Sequence, residues 1–196
     1  MKNESFEQIE QLEKYKTAVE NLAKTKSSFI FPNKDAQHAA IVLGSIIENS
    51  NCIKICDDDL SGDIADKSAD LRKVIMEAVE SGKNVQFLIK DVSHTDSEIY
   101  KLLQGLARKY SNLQVNKAKD GFFENVKDAL QDIVKDKVAI NFTVGGTNSF
   151  RIEFPGEQAR SAFCSFNNEA ITSVLLNLFD KGFGESDEVF SDRTDA

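Results

Sequence analysis

Three cysteines in 196 residues are too few, and odd in number, for a disulfide-stapled scaffold. Cys52 and Cys56 stand four apart, a spacing that matches no common zinc pattern. With Cys164 they read as reduced, buried thiols, and no metal or cofactor is expected. Positive charge is also short. Lys+Arg 24 against Asp+Glu 32 leaves a formal net charge of −8, so a nucleic acid as main partner would need a local basic patch, and no basic run exists. Long apolar runs are missing too: Ala39 to Ile47 is broken by Gly44 and Ser45 and falls well short of the ~20 residues that cross a bilayer. No membrane partner is therefore expected. The opening MKNESFEQIEQLEKYK alternates acid and base without an apolar centre, which does not read as a signal peptide, so a cytoplasmic location is expected.

What the sequence does have is enough apolar content to fold. Hydrophobic residues make up 41% and charged residues 29%, the balance of a globular protein rather than a disordered chain, and the length allows one sizeable core. Residues 1–28 predict an amphipathic helix, with Phe6, Ile9, Leu12, Tyr15, Val19 and Leu22 at steps of three and four. That helix can pack on the body or on a second copy. A short strand Phe29–Phe31 stops at Pro32, and Asn33 or Asp35 can cap a helix that runs through Ala36 to Ile47.

Strand and helix patterns then alternate. A strand Cys52–Cys56 is predicted to end at Asp57-Asp58-Asp59, followed by a loop through Ser61-Gly62-Asp63. Helical spacing over Leu71–Val79 closes at Ser81-Gly82, and the strand Val85–Ile89 follows. Helix Glu98–Tyr110, strand Leu113–Val115 and helix Glu124–Asp136 continue the rhythm. This order predicts an α/β fold with a mixed, largely parallel sheet covered by helices on both faces. The last third changes to an antiparallel style, with runs Val138–Val144, Ser149–Phe154 and Arg160–Phe166 joined by tight turns. A helix Glu169–Phe179 closes the body, taken as residues 29–186, and residues 187–196 read as an acidic, frayed tail.

The C-terminal block carries a resemblance. The run Val138-Ala139-Ile140-Asn141-Phe142-Thr143-Val144, the turn Gly145-Gly146-Thr147-Asn148, the strand Phe150-Arg151-Ile152-Glu153 and the segment Ala162-Phe163-Cys164-Ser165-Phe166-Asn167-Asn168 resemble half of a phospholipase D-like domain. The resemblance covers roughly residues 29 to 186 and rests on pattern. It implies a His-x-Lys strand, an Asp and a Gly-Ser-x-Asn strand, which together build a phosphodiesterase site, and it implies pairing of two halves. Here the His position holds Asn141, the Lys position Thr143, and the Asp position falls on Gly146 or Asn148. An amide and a hydroxyl replace neither a nucleophilic imidazole nor a phosphate-neutralising ammonium. His38 and His94 are each followed two residues on by Ala40 and Asp96, so no His-x-Lys stands elsewhere.

The candidates that remain are binding residues: Asn141, Thr143, Asn148, Arg151, Glu153, Ser165 and Asn167 as a remnant cleft. No catalytic residue is assigned. Ser165 and Asn167 can bond a phosphate or satisfy turn backbone. Arg151 and Glu153 point to one face of their strand, in a cross-strand ion pair or into the cleft. Asp57, Asp58, Asp59 and Asp63 could hold a divalent cation after a strand, against a plain reading as a solvated turn with helix-capping carboxylates. Gly145-Gly146 joins two strands and opens no helix, so it reads as a hairpin turn rather than a phosphate loop. The expected function is that of a non-catalytic phospholipase D-like module, a pseudoenzyme acting through a homodimer or another protein partner. The alternatives are a divergent metal-assisted phosphodiesterase or nuclease, and a small acidic inhibitor or immunity-type protein.

Overall fold

The computed structural model describes residues 2–33, 35–60, 64–134, 141–154 and 161–190. In chain order the elements are α1 (Lys2–Lys24), β1 (Phe31–Asn33), α2 (Ala36–Glu48), β2 (Cys52–Asp59), α3 (Ala69–Glu80), β3 (Asn84–Asp91) and α4 (Glu98–Ala107). They continue with β4 (Leu113–Lys117), α5 (Phe122–Val134), β5 (Asn141–Gly145), β6 (Ser149–Phe154), β7 (Ser161–Ser165), α6 (Glu169–Gly184) and β8 (Asp187–Glu188). The strands form one sheet in the order β1-β7-β6-β5-β2-β3-β4-β8.

The sheet is mixed, and its two halves follow the two sequence styles. The β2-β3-β4 part is parallel, because the α3 and α4 crossovers return the chain to the same end. From β5 to β7 the pairing is antiparallel through short connections, and both edge strands, β1 and β8, also pair antiparallel. Helices cover both faces. On one face α3 and α4 bury Leu71, Ile75 and Leu103 against Val85 and Phe87 of β3, while α1 and α2 bury Val19, Val42 and Ile46 against Phe31 and Cys164. On the other face α5 and α6 bury Val126, Leu130, Leu175 and Phe179 against Phe142 and Phe150. Gly145 has a steric reason: a Cβ there would lie 2.5 Å from Ile46 Cγ2, so α2 reaches the sheet only over a residue without a side chain.

Local signals explain most boundaries. Asp35, rather than Asn33, caps α2 by accepting from the His38 amide at 2.8 Å. Ser68 caps α3, Ser97 caps α4 and Asn168 caps α6. Gly82, at φ 85°, ends the α3 region as expected of a left-handed stop.

Several boundaries move. The first strand is Phe31–Asn33 rather than Phe29–Phe31, so Phe29 and Ile30 stand exposed beside an edge strand that tolerates Pro32. β2 does not stop at Cys56. It runs through Asp57 to Asp59, because pairing with β3 continues to Asp59↔Asp91 and overrides the low strand propensity of Asp. The tail is not frayed from residue 187: β8 pairs with β4, and Phe190 is buried with its ring edge-on to Tyr100. Residues 191–196 lie outside the described residues.

Candidate functional site

The hairpin of β5 and β6 sets the geometry. Its register puts Asn141 opposite Glu153 and Thr143 opposite Arg151, and strand alternation sends all four side chains to the face beneath α2. β7 places Cys164 opposite Arg151, and β1 brings Asn33 opposite Ala162 on that same face. The result is a buried polar row across β5, β6, β7 and β1.

The row is bonded to itself. Arg151 Nη1 donates to Glu153 Oε2 at 2.6 Å with both side chains at most 3% exposed. Arg151 Nε donates to Asn33 Oδ1 at 3.1 Å, and Cys164 Sγ lies 3.4 Å from that same oxygen. Asn141 Nδ2 reaches Glu153 Oε1 at 3.4 Å, and Asn141 Oδ1 accepts from the Asp58 amide at 2.8 Å. The expected ion pair is therefore present, but within one strand. Burial pushes the Cys164 thiol up to about 12 against the pull of Arg151, with Glu153 adding to the rise. Burial likewise pushes the Tyr15 phenol well above its usual range. Arg151 Nη2, Asn33 Nδ2 and Tyr15 Oη are buried with no hydrogen-bond acceptor among the described residues.

A recess of about 60 Å³ opens beside the row, lined by Asn141, Thr143, Arg151, Glu153 and Asp57 with apolar Ile55 and Leu60. Small-molecule sites usually have ~300–1,000 Å³. The geometry is that of a closed polar core with little room for a substrate.

The seven candidates fall into two groups. Asn141, Thr143, Arg151 and Glu153 are together. Asn148, Ser165 and Asn167 gather instead at the β5–β6 turn near the start of α6, where Asn148 Nδ2 reaches Asn167 Oδ1 at 3.4 Å. Ser165 Oγ accepts from the Asn167 amide at 3.4 Å and lies 3.5 Å from the Ser27 carbonyl, which is turn-backbone work. Asp57 and Asp58 are successive strand residues and point to opposite faces rather than converging in a loop, and Asp63 lies outside the described residues. Among the described residues no group of three or more His, Cys, Asp or Glu is placed to hold a metal. His38 packs flat on Tyr15, with ring centroids 3.9 Å apart, and lies 3.2 Å from Asp35.

Two members of the row escaped the sequence reading. Asn33 is 118 residues from Arg151 and stands beside a proline, so only its isolated polarity marked it. Tyr15 was one more apolar position on the α1 stripe. Cys164 did carry a signal, since Ala162, Cys164 and Phe166 alternate with Phe163 and Ser165.

With this architecture described, its class is clear: the fold is that of phospholipase D. It is shared with Nuc of Salmonella typhimurium, a phospholipase D family member, at TM-score 0.56 and 10% identity over 83% of this chain and 97% of that one. NucT from Helicobacter pylori is similar at TM-score 0.54 and 14% identity, over 82% and 97%. TrmBL2, an archaeal chromatin protein with a novel mode of DNA binding, matches 96% of this chain at TM-score 0.55 and 13% identity. This chain spans 66% of TrmBL2's length. No protein-family model matches the sequence, and no curated protein sequence matches it. Among the described residues no helix is long and apolar enough to cross a membrane.

Proposed function

We propose that this protein is a non-catalytic phospholipase D-like module that works by binding a protein, either a separate partner or a second copy. One observation carries the reading. Where the resembled family has its His and Lys, Asn141 and Thr143 are 6% and 4% exposed, and Asn141 is spent on the Asp58 amide and the Glu153 carboxylate. A neutral amide is a very poor nucleophile toward phosphorus, because its nitrogen lone pair is delocalised into the carbonyl, and the neighbouring cation is already tied to Glu153. The −8 net charge also opposes a role in holding a polyanion, whatever TrmBL2 does with DNA.

The test is hydrolysis of bis-p-nitrophenyl phosphate and of single-stranded DNA, with and without Mg²⁺ or Mn²⁺, by the full chain. The expected result is no turnover above buffer. Turnover that disappears in Asn141→Ala or Arg151→Leu would overturn the proposal. The molar mass of the complex isolated from the native cell, measured by light scattering, then tells a second protein from a second copy.

A further inference from the structure

A second recess, about 500 Å³, runs between α1 and α3 with α2 as its floor. Its floor is made by Ala36, Ala40 and Gly44, one turn apart, and its walls by Leu12 of α1 and Leu71 and Val74 of α3. Gly44 is the informative residue. It lies inside a helix, its φ is not positive, and a Cβ built on it meets no heavy atom within 4 Å. Neither the backbone nor a neighbour among the described residues demands glycine there, yet glycine is a poorer helix former than alanine. Gly44 is buried at the foot of the recess, and the space where its side chain would stand is left for an incoming one.

The rim sets the charge of what approaches. Glu13, Glu20, Glu48 and Asp70 face the groove against Lys16 and Lys67, four carboxylates to two ammonium groups. The floor follows the 13 residues of α2, ~20 Å of helix, which suits another helix laid along it. We propose that the groove receives an amphipathic α-helix of a partner protein, apolar along one stripe and bearing Lys or Arg on both flanks. A second copy's α1 is the wrong occupant, since Lys2–Lys24 carries five Glu against four Lys and so brings no positive excess to an acidic rim. This inference rests on the binding reading above and names the surface it uses.

The probe is a fluorescent peptide of roughly 16 residues, about the length of α2, with Leu at helical spacing and Lys elsewhere; its twin carries Glu in place of Lys. Anisotropy is read on the full chain at two salt concentrations. The Lys peptide should bind, weaken as salt rises, and weaken about tenfold or more on Gly44→Leu, while the Glu peptide binds at least about tenfold less tightly. A circular-dichroism melt confirms that Gly44→Leu is folded; if it is not, the reversal Glu20→Lys with Asp70→Lys takes its place and should cost the same. Failure of the Lys peptide to saturate at millimolar concentration, or equal binding by the filled groove, overturns the groove proposal. Phosphodiester turnover, with the groove binding or not, is what overturns the reading beneath it.

Discussion

The two faces of the β5–β6–β7 sheet are built on opposite principles. Beneath α5 and α6 the strands present Phe142, Val144, Phe150 and Ile152, all at most 1% exposed, and the face is held by area removed from water. Beneath α1 and α2 the same strands present Asn141, Thr143, Arg151 and Glu153, also buried but polar. Burial alone does not stabilise that second face. Desolvating a guanidinium and a carboxylate costs several kcal/mol per ion, and only their mutual contact and the bonds to Asn33 and Asn141 offset it. An apolar face in a fold of this kind needs no explanation beyond stability. A polar one kept closed does need one, because its charges are only partly answered: Arg151 Nη2 and Asn33 Nδ2 stay buried with no acceptor among the described residues.

Adjacent residues on β6 make the sharpest comparison. Phe150→Ala should cost about 3–5 kcal/mol by leaving a cavity, with no second-site rescue by a polar change. Arg151→Leu should also cost about 3–5 kcal/mol, but for another reason: it strands the Glu153 carboxylate in a dry site. The double change Arg151→Leu with Glu153→Leu should therefore recover most of the loss. Urea unfolding midpoints measure all three. A cost below ~1 kcal/mol for Arg151→Leu would mean that water reaches the pair, and the contrast between the faces would collapse.

The parallel half of this fold was legible because its code is local. Helical spacing from Leu71 to Val79 and the Ser81-Gly82 stop both act within a few residues. The hairpin at Gly145-Gly146 was legible too, and strand alternation gave the shared face of Arg151 and Glu153, though not the register that sets them opposite Thr143 and Asn141. Asp57–Asp59 misled, since a run of carboxylates looks like a loop until a neighbouring strand carries the pairing past it. The site was half legible for the same reason. Asn141, Thr143, Arg151 and Glu153 lie on one hairpin, whereas Asn33 and Tyr15 reach the row through β7 and α1, contacts that no local pattern encodes. Ser165 and Asn167 follow a motif in sequence, but strand alternation sends Ser165 to the face away from Cys164.

Smaller perturbations separate the faces further. Asn141→Ala leaves the Asp58 amide without its acceptor and one Glu153 oxygen without its donor, so about 1–3 kcal/mol should be lost in the same unfolding experiment. Alkaline pH probes one thiol on each face, Cys164 beneath α2 and Cys56 beneath α5 and α6, both held above their ordinary value by burial. The folded Cys164 thiol stays protonated to about pH 12, while the unfolded one ionises near 9.0, so between these values the unfolded state holds fewer protons. Stability is complete below pH 9 and should fall by about 1.4 kcal/mol per pH unit for each thiol above it. Cys164→Ala should remove one share of that slope and Cys56→Ala the other. An unchanged slope in Cys164→Ala would mean that the polar face already admits hydroxide and solvent.

The mildest contrast lies in the helix caps. Asp35 caps α2, which covers the polar row, and Asn168 caps α6, which covers the apolar face, each accepting an amide of the first turn. Replacing either by Ala should cost about 1 kcal/mol, since one backbone donor loses its acceptor. The two variants should differ in where the loss appears. α6 is anchored by Leu175 and Phe179, both fully buried, so fraying its first turn should leave hydrogen exchange in β5 and β6 unchanged. α2 is the lid over the Arg151–Glu153 pair, and its first turn also holds His38 against Tyr15. In Asp35→Ala, exchange at Thr143 and Arg151 should quicken together with the α2 amides, because water that enters under a loosened α2 reaches the charged pair. Equal protection of β5 and β6 in both variants would show that the polar row is sealed by the sheet itself and not by the helix above it.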